Sequence, residues 1–144
     1  MNSLSEKNKL FDCACFNIRK SARLLTQKYD EALHPLGLRS TQFSILALIS
    51  HFDTITVTEL AYHLVMDRTT LSRSLQPLEK QGLVQTVQGE DRRTRMISLS
   101  KAGFTKLKKA VPLWKKAQKK FVKYMGDERF DHLLSELNFI DRLL

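Results

Sequence analysis

"TVTELAYHLVMDRTTLSRSLQPLEKQGLV", residues 56–84, decides the fold. Thr56 and Glu59 stand three residues apart at the head of an apolar run. That is the spacing of a capping box, so a short helix starts here and runs to about Leu64. "VMD", residues 65–67, reads as a tight turn. Asp67 can cap a second helix that continues to about Gln81, and Gly82 suits the left-handed position past its end. Two helices joined by so short a turn have the spacing of a helix-turn-helix. In the second helix Leu71, Leu75 and Leu78 fall together and should face a core, while Thr69, Arg73, Gln76 and Lys80 fall opposite. Pro77 removes the hydrogen bond to the carbonyl of Arg73, which predicts a bend or a frayed last turn.

"LVQTVQ" and "MISLS" follow, two short runs rich in β-branched and apolar residues, separated by the turn-like "GEDRRTR" of residues 89–95. In the second run Ile97 and Leu99 share one face, Met96 and Ser98 the other. This is a β-hairpin with a long charged tip. Helix, turn, helix, hairpin is the order of a winged helix-turn-helix, and the fold class is mainly α with a small β-hairpin wing.

The flanks are helical. Residues 8 to 33 read as one long helix, with Leu10, Phe11, Ala14, Ile18, Ala22, Leu25, Tyr29 and Ala32 on an apolar stripe. "HPLG", residues 34–37, breaks it. A helix follows from about Ser40, with Phe43, Leu46, Ala47 and Ile49 apolar, and "SHFDTIT", residues 50–56, reads as a connector. From Ser100 a long helix runs to about Met125. Leu107, Val111, Trp114, Phe121 and Met125 line one side; Lys101, Lys108, Lys109, Lys115, Lys116, Lys119, Lys120 and Lys123 cover much of the other. Pro112 should kink it. "GDERF" restarts a last helix that stays apolar to Leu144 and needs a partner surface, in its own domain or on another chain.

The 144 residues, 42% apolar and 27% charged, suit one globular domain. No apolar run is long enough for a transmembrane span, and "MNSLSEKNKL" lacks the apolar core of a signal peptide, so a cytoplasmic protein is expected. Cys13 and Cys15 sit too close together for a disulfide framework, which fits a reducing compartment. The net charge of +9 makes a polyanion partner plausible. It does not lie in the reading head: from Thr56 to Ser100 six basic residues face five acids. Much of it lies on the helix beginning near Lys101, where the lysine face can steer DNA, touch flanking phosphates, or simply be solvated. His34, His51, His63 and His132 show no metal spacing, and no phosphate loop or Ser/His/Asp arrangement stands out. No cofactor, metal or catalytic activity is expected.

In order and motif the chain resembles the MarR family of bacterial transcription regulators, from about residue 10 to the end. The resemblance is carried by "LTQKYDEALHPLGLRSTQFSILALI", by the stretch quoted first, and by "DRRTRMISLSKAG". The last has the family's wing pattern: Asp91-x-Arg93, an apolar strand, then Leu99, Ser100 and Gly103. It implies a single domain over residues 1–144, with a DNA-binding lobe at 38–100 and helical dimerisation regions at 8–34 and 101–144. It further implies a homodimer gripping a pseudo-palindromic operator in double-stranded DNA.

Within that frame the recognition helix spans residues 67–81. Arg73 can read guanine by a bidentate contact and Gln76 can pair with adenine. Thr69 and Ser72 can reach bases or phosphate, and Arg68 and Thr70 can clamp phosphates. By composition alone this stripe reads as a solvated helix face; the helix-turn-helix context and the wing reverse that. By carry-over Arg93 inserts into a minor groove with Asp91 orienting it through an ion pair, and Arg92 and Arg95 meet phosphates.

Family members answer to a small aromatic ligand at the dimer–lobe junction or to an oxidant at a cysteine. On a continuous helix Cys13 and Cys15 point in different directions, and Cys15 at the edge of the stripe would be the half-buried, tuned thiol. The spacing of Cys15 to Arg23, Thr26 and Tyr29 resembles the organic-hydroperoxide-sensing branch, in which the tyrosine matching Tyr29 helps hold the thiolate. Arg19 stands where that branch commonly has another tyrosine. The other reading of Cys15 is a small buried apolar residue at the dimer interface. Two rivals remain beside the regulator. One is a winged-helix protein-interaction module without specific DNA binding. The other is a thiol enzyme at Cys15, which would need a base and a cleft that nothing in the sequence supplies.

Overall fold

The computed structural model describes residues 9–88, 90–91 and 93–144. The helix expected from residue 8 is broken near its start. Lys9–Asp12 form a 3-10 turn, Cys13 takes an extended backbone (φ −74°, ψ 118°), and helix α1 spans Ala14–Leu33. Asn17 accounts for the break: its side-chain amide donates to the carbonyls of Phe11 at 2.6 Å and Cys13 at 3.0 Å, satisfying groups that a continuous helix would have used. The end of α1 comes where "HPLG" places it, in a 3-10 turn over His34–Leu36 closed by left-handed Gly37.

Helix α2 (Ser40–Phe52) is tied to α1 by the Ser40 N–H, which donates to Asp30 Oδ1 at 2.6 Å. The expected connector at residues 50–56 is not one. Its first three residues finish α2, Asp53 turns the chain with φ 59°, and Thr54–Thr56 form strand β1. Helices α3 (Val57–Leu64) and α4 (Arg68–Lys80) follow, then strands β2 (Val84–Gln88) and β3 (Arg95–Leu99). The sheet is three-stranded and antiparallel in the order β1-β3-β2, with Ile55 opposite Ile97 on one side and Thr86 opposite Ile97 on the other. A two-stranded hairpin is marginal in water, and the third strand sets the wing on the core through buried Ile55 and Ile97.

Helix α5 (Lys101–Met125) starts at Ser100, whose hydroxyl accepts the N–H of Gly103 at 3.0 Å, and Gly126 separates it from α6 (Asp127–Ile140). Pro77 and Pro112 end neither of their helices; α4 and α5 each run on past them.

The buried core lies between Leu33 and Ala110, built by α2, α3, α4, the sheet and the first half of α5. Of α1 only Leu33 is buried, and of α6 nothing. Leu134, Leu137, Phe139, Ile140, Leu143 and Leu144 are all exposed on this protomer.

Candidate nucleic-acid interface

The reading head is held by two caps. At α3 the Thr56 hydroxyl accepts the Glu59 N–H at 3.1 Å, and the Glu59 carboxylate accepts the Thr56 N–H at 3.0 Å. The Thr56 N–H first, and then the Thr56 hydroxyl, which donates to the same carboxylate at 2.8 Å, hold the Glu59 carboxyl below its ordinary range, helped by nearby His63. At α4 Asp67 accepts the Thr70 hydroxyl at 2.6 Å and its N–H at 2.8 Å, which lowers the Asp67 carboxyl in the same way. Between them the chain reverses at Val65, left-handed at φ 51°. The Met66 N–H reaches the Ala61 carbonyl at 2.9 Å, closing α3. A β-branched residue costs about 1–2 kcal/mol in that conformation, a strain retained in the turn that aims α4.

The two faces of α4 separate as its sequence requires. Leu71, Leu75 and Leu78 are fully buried, and Arg68, Thr69, Thr70, Ser72, Arg73 and Gln76 are all exposed. The caps and the leucines therefore present one polar ridge with Arg73 and Gln76 near its middle. Thr70 spends both its hydroxyl proton and its N–H on Asp67, so it keeps no donor for the phosphate contact expected of it.

The wing holds two departures from expectation. Among the described residues Asp91 makes no ion pair. Its Oδ1 accepts the Arg93 N–H at 3.0 Å, and its carbonyl accepts the Thr94 N–H at 3.0 Å. It shapes the tip as a turn and leaves the Arg93 side chain exposed. Arg95, expected on phosphate, is instead ion-paired with Glu79 of α4. Arg92 lies outside the described residues. The Arg95–Glu79 tie was missed because its partners are 16 residues apart on different elements.

Away from this face, Cys15 is exposed, and so is Cys13. The expected half-buried thiol is not found on the protomer, and because Cys13 is extended, helical directions do not relate the two side chains. Tyr29 lies 14 residues further along α1, about 21 Å at 1.5 Å per residue, so it cannot hold the Cys15 thiolate of its own chain. It donates instead to Gln118 of α5, and burial pushes its phenol above the ordinary range. Tyr29 also borders a cleft of about 330 Å³ between α1, α2 and α5, with Leu25, Thr26, Ser44, Phe43 and Trp114; the last two rings stack at 5.7 Å. Among the described residues no group of acids, cysteines and histidines could hold a metal ion, and no helix is long and apolar enough to cross a membrane.

Comparison with known proteins places this arrangement. The sequence profile of the MarR family matches residues 38–94. The HTH-type transcriptional regulator YwoH of Bacillus subtilis (strain 168) is 38% identical over 84 residues, which cover 58% of this chain and 61% of that one. The organic hydroperoxide resistance transcriptional regulator of the same organism is 32% identical over 114 residues, 78% of each chain. The crystal structure of M. tuberculosis transcriptional regulator MosR in complex with DNA superimposes with a TM-score of 0.80 at 41% identity, covering 91% of this chain and 97% of that one.

Proposed function

This chain belongs to the MarR family of transcription regulators, and from that premise we propose that it is a cytoplasmic, homodimeric repressor of a pseudo-palindromic operator, released by a chemical signal. It is a DNA-binding regulator and not an enzyme. The observation that carries the reading is the division of α4: three leucines fully buried, six polar side chains exposed beside a basic wing. Arg73 reads guanine and Gln76 adenine; Thr69 and Ser72 reach bases or phosphate; Arg68 holds phosphate, while Thr70 gives both its hydroxyl and its N–H to the Asp67 cap. Arg93 enters the minor groove from a tip shaped by Asp91, with Arg92 on the adjoining backbone.

The dimer is built by residues 8–34 and 101–144, and the bare apolar surface of α6 supports that assignment. Two-fold symmetry then sets the recognition helices about 34 Å apart, one turn of duplex.

For the signal we infer an organic hydroperoxide acting at Cys15. The thiol is exposed, and a relative that is 32% identical is named for organic hydroperoxide resistance. Tyr29 can serve that thiol only from the other protomer. The cleft beside Tyr29 and Trp114 favours a second reading, a small aromatic ligand at the junction of lobe and dimer helices.

The test is fluorescence anisotropy of the reduced protein on its own upstream DNA across a salt series, repeated after hydroperoxide. Competitor-resistant binding supports the regulator, and its loss on oxidation in wild type but not in Cys15→Ser supports the thiol switch. Indifference to oxidant moves the signal to the cleft. Binding no better than to random sequence, on this and on other genomic fragments, returns the winged-helix protein-interaction reading.

A further inference from the structure

Helix α5 contains nine lysines and no acidic residue. Eight of the nine are exposed, from Lys101 to Lys123. At 100° per residue these eight fall within an arc of about 140°, and at 1.5 Å per residue the stripe is about 33 Å long. None is in an ion pair among the described residues. A solvated helix face mixes signs and places Glu four residues before Lys. Here Lys115 faces Lys119, Lys116 faces Lys120 and Lys119 faces Lys123, like charges at the spacing where they repel.

This unpaired charge lies beside a reading head that is almost neutral, six basic residues against five acids between Thr56 and Ser100. The two are mechanically joined: the Ser100 N–H donates to the Leu83 carbonyl at 3.0 Å and the Ser100 hydroxyl donates to that of Gly82, so the stripe begins where α4 and β2 meet. Sequence-independent affinity for duplex DNA comes from phosphate neutralisation and counterion release. The head supplies only part of it, because Arg95 is tied to Glu79 and few of its other cations are assigned to phosphate.

We propose that the lysine face of α5 is a second DNA surface, a phosphate track that carries the sequence-independent part of duplex binding. The proposal rests on the regulator reading above. A bilayer fits worse, because a membrane-surface helix must free its apolar side. That side of α5 is committed: Leu107 and Ala110 are buried in the core and Trp114 stacks on Phe43.

The experiment uses the full chain and a Lys115→Gln, Lys119→Gln, Lys123→Gln triple variant, whose residues form one line far from the head. Anisotropy is read across a salt series on an operator-bearing fragment and on a random duplex of equal length. Loss of three phosphate contacts is expected to flatten the log affinity–log salt slope by about 2.7 on both duplexes. The operator-to-random ratio is expected to stay unchanged, and the matching triple Arg variant to keep the wild-type slope. Unchanged slopes overturn the proposal. So does a triple Gln variant that sediments as monomer where wild type is a dimer, since the lysines would then be serving a second copy. Loss of binding to phosphatidylserine vesicles with DNA binding intact also overturns it. If wild type itself shows no preference for any operator fragment, the regulator reading fails, while the slopes on random duplex still decide the stripe.

Discussion

Gly103 lies against the backbone of Leu83 so closely that a Cβ on Gly103 would stand 2.0 Å from the Leu83 carbonyl oxygen. That oxygen already accepts the Ser100 N–H. The contact fixes the first turn of α5 to the base of the wing, and no side chain fits between them. Gly103→Ala is therefore expected to destabilise the fold by about 1–3 kcal/mol through overpacking, despite the better helix propensity of alanine. A thermal melt checks it, at roughly 2–4 °C of Tm per kcal/mol for a chain of this size. A melting temperature equal to or above wild type would show that the helix can shift away without cost.

The ion pair between Arg95 and Glu79 holds the root of the wing to the C-terminal half of α4. Both side chains are partly solvated, so the pair adds at most about 1 kcal/mol to stability. Its larger effect is on DNA, because it keeps one arginine off phosphate. Glu79→Gln is expected to leave the melting temperature nearly unchanged while tightening binding to random duplex and steepening the salt slope by about 0.9. An unchanged slope would mean that Arg95 cannot reach the backbone even when released.

The reading head was legible because its signals are local. Thr56 with Glu59, Asp67 before the recognition helix, and leucines at 71, 75 and 78 lie within one turn or on one helix face, and the structure uses each as its sequence suggests. Gly103 could be seen as part of a pattern, but its cause, the Leu83 carbonyl, lies 20 residues away. Strand β1 was hidden by its length: three residues carry little periodicity, and Thr54–Thr56 is a strand only because β3 pairs with it. The break at Cys13 depends on where the Asn17 amide reaches, which an apolar stripe does not report. For the wing, charge could be counted but not assigned, so the turn made by Asp91 and the tie made by Arg95 both differ from the roles their types suggested.

Acid should loosen the reading head through its two caps. Glu59 and Asp67 are both held below the ordinary carboxylate range, by Thr56 and by Thr70 respectively. Unfolded, both titrate near pH 4. A carboxyl with a lowered folded pKa binds its proton more readily in the unfolded chain, so its stabilisation is complete above the unfolded value and is lost as pH falls through the lowered folded one. Urea unfolding at pH 7, 5, 4 and 3 is expected to give a flat midpoint down to pH 5 and a decline below it. The decline should be shallower in a Glu59→Gln, Asp67→Asn double variant. Identical pH profiles would place the acid sensitivity elsewhere.

Arg73 sits exposed on α4 two residues after buried Leu71 and two before buried Leu75, so the core fixes its direction without touching its guanidinium. If it reads a guanine edge, its planar fork matters as well as its charge. Arg73→Lys keeps the charge and removes the paired donors. The loss expected on the operator is about 1–3 kcal/mol, roughly 5- to 150-fold in affinity, with random-duplex binding and salt slope nearly unchanged. Arg73→Ala should lose the same specificity and also flatten the slope if the guanidinium neutralises a phosphate. Competition binding with operators altered one base pair at a time locates the contact, since the lysine variant should stop discriminating at one position in each half-site. Equal losses on operator and random duplex would instead make Arg73 a phosphate clamp and leave base reading to Gln76 and its neighbours.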